Sequence, residues 1–159
     1  LNRSVVILGI DPGSRATGWG VIRAQGRSVT LVGCGVIRPG TKDDLSRRLL
    51  AVAEGIEGLV LEYEPTQGAI EDVFVSRDPR SALKLGQARG AALAALARRG
   101  LAVKEYPPAL VKRAVTGSGR ADKKQVARMV EALLRPDRTP ARDASDALAV
   151  ALCHLRTIR

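Results

Sequence analysis

SVVILGID, residues 4–11, is a β-branched and apolar run that ends on a carboxylate. A run of this kind without polar alternation describes a strand buried on both faces, at the centre of a sheet. PGSRATG (12–18) then turns the chain. WGVIRA (19–24) and SVTLVGCGVI (28–37) follow as two more strands about the turn Gln25-Gly26-Arg27. Three consecutive strands joined by short turns imply an antiparallel meander.

Beyond residue 42 the pattern changes. Leu45, Leu49, Val52, Ile56 and Leu59 recur at spacings of three and four, which predicts a helix from Asp43 to about Glu62 with Thr41 as its N-cap. GAIEDVF (68–74) reads as a short strand ending near Glu71, residues 80–99 as a second long helix closed by Gly100, and LAVKEY (101–106) as a fifth strand. Pro107-Pro108 opens a short helix, GSGRADKKQ (117–125) leads into another reaching Leu134, and residues 143–157 form the last. An antiparallel hairpin that feeds a sheet made parallel by crossover helices is a mixed α/β fold: a five-stranded sheet flanked by helices. The longest connector, 135–142, is too short to separate two domains, so residues 1–159 are expected to form one.

The chain is strongly basic, with 26 Lys and Arg against 16 Asp and Glu, a net charge of +10. That charge predicts nucleic acid or another polyanion as the partner. It is concentrated: residues 107–142 carry Lys112, Arg113, Arg120, Lys123, Lys124, Arg128, Arg135, Arg138 and Arg142 against Asp122, Glu131 and Asp137. Residues 49–76 hold no Lys or Arg at all. The late helices are therefore the expected DNA-facing side. No basic amphipathic helix or long apolar run points to a membrane. The opening residues lack the length and small-residue cleavage site of a signal peptide. Two cysteines, Cys34 and Cys153, are too few for a disulfide framework, which fits a reducing cytoplasm.

Against this basic background four acids stand out. Asp11 and Glu71 end two strands; if those strands are neighbours, both carboxylates emerge at one edge of the sheet. Asp143 and Asp146 are three apart and share a face of the last helix. Each has a plain alternative: Asp-Pro-Gly is a common turn, Glu71-Asp72 can be solvated strand-end charge, Asp143 can be an N-cap, and Asp146 can answer the helix dipole. Taken together in this topology they favour a site for hard cations, Mg²⁺ or Mn²⁺ rather than zinc.

LGIDPGS (8–14), TGWGVI (17–22), AIEDVF (69–74), SALKLGQARG (81–90) and DASDALAVAL (143–152), in this order, resemble the RuvC family of Holliday-junction resolvases. The resemblance runs from about Leu8 to about His154. It implies an RNase H-like fold and a homodimer that cuts four-way DNA junctions by paired nicks, working with a branch-migration motor. It implies that Asp11, Glu71, Asp143 and Asp146 are the catalytic metal ligands, holding two Mg²⁺ ions for which Mn²⁺ can substitute. It places Lys112 and Lys123 at the scissile phosphate, with Lys124 an adjacent competitor, and an aromatic at Phe74 that stacks on bases at the junction centre. Arg77 and Arg80 in the basic loop beyond Phe74, and Arg120 before the late helix, complete the expected DNA contacts. Asp72 departs from the family's pattern, and strand parity points it away from Glu71. Trp19 and Tyr63 read as packing residues, and His154 as a helix-end residue rather than a ligand.

The helix at 80–99 carries Ala82, Gly86, Gly90 and Ala94 on one face. This smooth stripe is either packing within the subunit or a dimer seam. Three other functions are open at this point. Asp11, Gly13 and Gly18 fit the DxGxxxxG phosphate loop of actin-like ATPases, a fold that needs two such domains. The others are a non-catalytic junction-binding protein and an RNase H-like nuclease acting on other structured nucleic acid.

Overall fold

The computed structural model describes residues 4–72 and 78–159. Its strands are β1 (Val5–Asp11), β2 (Thr17–Gln25), β3 (Ser28–Ile37), β4 (Gln67–Glu71) and β5 (Val103–Tyr106). Its helices are α1 (Leu45–Tyr63), α2 (Pro79–Arg98), α3 (Pro108–Thr116), α4 (Lys123–Leu134) and α5 (Arg142–Thr157). The sheet order is β3-β2-β1-β4-β5. β1, β2 and β3 pair antiparallel, while β4 pairs parallel with β1 and with β5. The expected mixed five-stranded sheet is present, with the apolar run at its centre.

Alternation along the strands divides the core in two. Leu8, Ile10, Val21 and Ile70 face α1 and α2, against Val52, Ile56, Ala92 and Leu96. Ile7, Ile22, Ala69 and Tyr106 face α3, α4 and α5. In α5 every residue from Ala144 to Leu155 is buried except Asp146. A helix apolar all round is a core helix, so its one half-buried carboxylate is conspicuous.

Helix ends show two departures from expectation. α1 is capped by Asp44, whose side chain accepts from Arg47 N, and not by Thr41. Asp44 is one residue before the first helical position, where a carboxylate reaches the orphan N–H groups; Thr41 is too early in the chain to do so. Asp143 is not an N-cap either: Ala141 occupies that position and Asp143 lies within the first turn of α5. α4 opens with a full capping box, Asp122 accepting from Gln125 N and Gln125 accepting from Asp122 N. Among the described residues no helix is long and apolar enough to cross a membrane.

Candidate active site

β1 and β4 run parallel as neighbours, with Ile10 opposite Ile70, so Asp11 and Glu71 emerge side by side at the same edge. By parity both belong to the face covered by α5: Asp11 follows Ile7 and Gly9, and Glu71 follows Ala69. The helix can reach them because this face is stripped of side chains beneath it. A Cβ built on Gly9 would lie 2.2 Å from the Ala147 carbonyl oxygen. One built on Gly18, the residue paired with Asp11, would lie 1.9 Å from the Asp143 carbonyl oxygen. No side chain fits either gap, so α5 rests directly on the backbone of β1 and β2. Gly20 receives Leu148 in the same way.

This close approach brings Asp146 to the strand-end acids. Burial pushes the Asp11 carboxyl up to about 8, and the charges of Glu71 and Asp146 push in the same direction. Glu71 is also raised, chiefly by burial, and it accepts a hydrogen bond from protonated Asp11. Asp11 and Glu71 thus share one proton, held on Asp11. Lys123 Nζ donates to Asp146 Oδ2 at 3.0 Å, and its charge also favours ionised Asp11 and Glu71. Lys112, on α3, acts on Glu71 in the same sense.

The structure therefore brings together Asp11, Glu71, Asp146, Lys123 and Lys112. Asp143 contributes its backbone to the Gly18 contact, and its carboxylate is not among the charges acting on Asp11. Among the described residues no three Asp, Glu, His or Cys side chains form a metal-binding cluster. The carboxylates converge without being drawn into a ligand cage. Their chemistry nevertheless suits a hard divalent cation. The donors are all oxygen, and the proton shared by Asp11 and Glu71 is one that a cation would displace.

Basic side chains continue outward from the acids. Lys123, Lys124 and Arg142 line a cavity of about 430 Å³ that ends on Asp146. Arg120 and Arg128, with Thr116 and Ser118, line another of about 480 Å³. Arg80 stands in the exposed first turn of α2, where its backbone N–H is capped by Asp78. The expectations for Phe74 and Arg77 fall outside the described residues.

Several residues have roles that sequence reasoning misplaced or missed. His154 lies in the last turn of α5, as expected of a helix-end residue, and it is also buried. Its Nδ1 lies 2.7 Å from the Tyr106 hydroxyl and its Nε2 lies 2.6 Å from Gln67 Oε1. The amide oxygen only accepts, so Nε2 carries the proton and Nδ1 accepts from the tyrosine. Both partners are satisfied by the neutral ring, and burial depresses its pKa. Asp72 forms an ion pair with Arg89 at 3.4 Å. Arg89 also contacts Glu105, and its Nε donates to the backbone carbonyl of Glu71 at 3.4 Å. One half-buried guanidinium thus ties the ends of β4 and β5 together beside Glu71. Trp19 and Tyr63 pack as expected, with ring centroids 5.6 Å apart.

Comparison with known proteins places the chain in a family. The family model described as "Crossover junction endodeoxyribonuclease RuvC" matches residues 7–154. The RuvC crossover junction endodeoxyribonuclease of Marinobacter nauticus is 54% identical over 149 residues, covering 94% of this chain and 85% of the relative. That of Shewanella amazonensis is 50% identical over 152 residues, covering 96% and 87%. Among solved structures, Thermus thermophilus RuvC in complex with a Holliday junction substrate superposes with a TM-score of 0.91 at 32% identity, covering 98% of this chain and 95% of that one. The yeast mitochondrial resolvase Ydc2 shares the fold, with a TM-score of 0.68 at 12% identity over 94% of this chain and 78% of that one. The five-stranded sheet is thus of the RNase H-like kind, and the chain belongs to the RuvC family of crossover junction endodeoxyribonucleases.

Proposed function

We propose that this chain resolves four-way DNA junctions by paired symmetric nicks, with Asp11, Glu71, Asp143 and Asp146 holding two Mg²⁺ ions at each site. Family membership gives the phosphodiester hydrolysis and its metal dependence. The observation that carries the residue assignment is the strained Asp11 carboxyl, pushed up to about 8 beneath Glu71 and Asp146 in an otherwise basic protein. Such crowding of acids is costly unless a cation relieves it.

When bound, the ions supply a metal-activated water and stabilise the leaving 3′ oxygen of an in-line displacement that yields 5′-phosphate and 3′-hydroxyl ends. The protein's own part is positional. β1 and β4 fix two carboxylates at one sheet edge, and α5 lowers Asp146 onto them. Lys123 and Lys112 neutralise the acids and stand ready to receive the scissile phosphate. Lys124, Arg120, Arg80, Phe74 and Arg77 complete the reading of the DNA surface.

Two-fold cutting calls for a homodimer. The α2 stripe supports that reading: Gly86 and Gly90 are exposed, a Cβ on either meets nothing, and Leu83 beside them is 65% exposed. Among the described residues nothing packs on Gly86 or Gly90, which favours the seam over packing within the subunit. A branch-migration motor as working partner, a single domain spanning 1–159 and a cytoplasmic setting complete the proposal; both cysteines are free thiols. Incubation with labelled four-way junction, linear duplex and RNA–DNA hybrid, with and without Mg²⁺, tests it. Symmetric Mg²⁺-dependent nicks in the junction alone are expected. Preferential cutting of hybrid, or binding without cutting, would overturn it.

A further inference from the structure

On the other face of the sheet, at the same edge as the carboxylates, lies a second basic site. The loop that follows Asp11 carries Ser14 and Arg15, and it folds against the first turns of α1 and α2. A cavity of about 380 Å³ opens there, lined by Ser14, Arg15, Thr41, Arg48 and Lys84. A second of about 200 Å³ shares Ser14, Arg48 and Lys84 with it and runs inward to Gly13 and Val52. Three cations line this recess and no acid does. Among the described residues none of the three forms an ion pair within 4 Å. Asp78, at the start of α2, is engaged in capping that helix through the N–H groups of Arg80 and Ser81.

Arg48 is held in place within the recess. One of its terminal amines donates to the Ser14 carbonyl at 2.9 Å, which fixes the plane of the guanidinium. Its Nε is buried and has no hydrogen-bond partner among the described residues. A buried, oriented donor on a charged group left unpaired is costly, and an anion beside it removes the cost. The guanidinium fork matches a tetrahedral oxyanion, and the hydroxyls of Ser14 and Thr41 add donors suited to the same group.

We propose that Arg15, Arg48 and Lys84 form a second phosphate subsite, which grips a backbone phosphate of the DNA substrate on the side of Asp11 opposite Lys123 and Lys124. This rests on the junction-cleaving reading above. Continuity selects DNA as the occupant. Arg15 is four residues from Asp11 on one loop, so a strand laid on the carboxylates passes this edge. Its phosphates then meet a cationic recess on one side and the α3–α4 cations on the other. Gripping the strand on both sides would hold the scissile bond against the acids.

Junction binding measured by fluorescence anisotropy with Ca²⁺ in place of Mg²⁺, across a KCl series, tests this. The variants are Arg15→Gln, Lys84→Gln and their double, with Arg27→Gln as control. Arg27 lies in the β2–β3 turn at the opposite end of the sheet and removes the same charge. The double variant is expected to bind about tenfold more weakly and to flatten the slope of log affinity against log salt by about 0.9, one phosphate. Its melting temperature should match the parent. A double variant with the parent's slope, or Arg27→Gln matching Arg15→Gln, would overturn the subsite. So would inorganic phosphate that raises the melting temperature of the parent but not the double while slopes stay equal, since the recess would then take a free anion. Cleavage of the junction by the unaltered protein is run alongside. Its absence would fault the functional reading rather than the subsite.

Discussion

Asp11 has to share its surroundings with a proton or with a cation. Its carboxyl is raised to about 8, so without metal it is protonated in the folded state over a range where an unfolded chain's aspartate is ionised. The folded state then holds more protons than the unfolded one, and stability falls as pH rises from about 4 towards about 8. Asp11→Asn removes the group responsible. The metal-free variant should melt higher than the parent at pH 8 and no higher at pH 4, as calorimetry would show. The same variant should lose junction cleavage while still binding the junction. Full nicking by Asp11→Asn would end the assignment. Arg89 belongs to this scale too. Its contacts to Asp72, Glu105 and the Glu71 carbonyl hold the strand that presents Glu71. Arg89→Ala is expected to lower kcat by at least fivefold with little change in junction affinity, and Arg89→Lys to recover part of it. Equal losses in kcat and affinity would argue against a positioning role.

At the level of elements the fold was more legible than its contacts. The apolar run of β1 and the alternation of β2 and β3 predicted the sheet's centre and its meander, because a side-chain period of two survives any tertiary context. The Asp143–Asp146 spacing likewise put both acids on one helix. Lost were the features that depend on two distant segments meeting. His154 is the helix-end residue it reads as, but its contacts to Tyr106 and Gln67 left no sign because neither is near it in sequence. The recess of Arg15, Arg48 and Lys84 is scattered over three segments and leaves no motif. Asp44 was passed over for Thr41 although both are acceptable caps, and only the first hydrogen-bonded turn decides between them. The glycines did leave a readable sign: Gly18 and Gly20 are two apart on one strand face, beside Gly9 on its neighbour, and a helix lies where they are bare. Gly18→Val should push α5 off the sheet. A stability loss of about 1–3 kcal/mol is expected from overpacking, with a far larger fall in cleavage, because Asp146 moves with the helix. Denaturant melts and nicking assays on one preparation compare the two; a variant that cuts at the parental rate would show that α5 tolerates the displacement.

At the scale of the whole molecule, charge and symmetry take over from packing. The acids form a small negative island at one sheet edge, and cations flank it on both faces. A single copy presents one such island, whereas paired nicks need two. The exposed α2 stripe is where a second copy would meet least resistance. Gly90→Leu should convert a dimer seen by sedimentation into monomers that fold normally and nick one strand rather than two. A variant that stays dimeric would move the seam elsewhere.

The acids also arrive at different times. Asp11 lies on β1 and Asp146 on α5, which is synthesised long after it, and nearly all of that helix is core. Until α5 emerges, Gly9, Gly18 and Gly20 line an open furrow, and two carboxylates face it alone. A nascent chain that has reached residue 141 already carries most of the basic segment. It can gather on DNA by charge before Asp146 is in place. The step that completes the core is thus also the one that completes the proposed site.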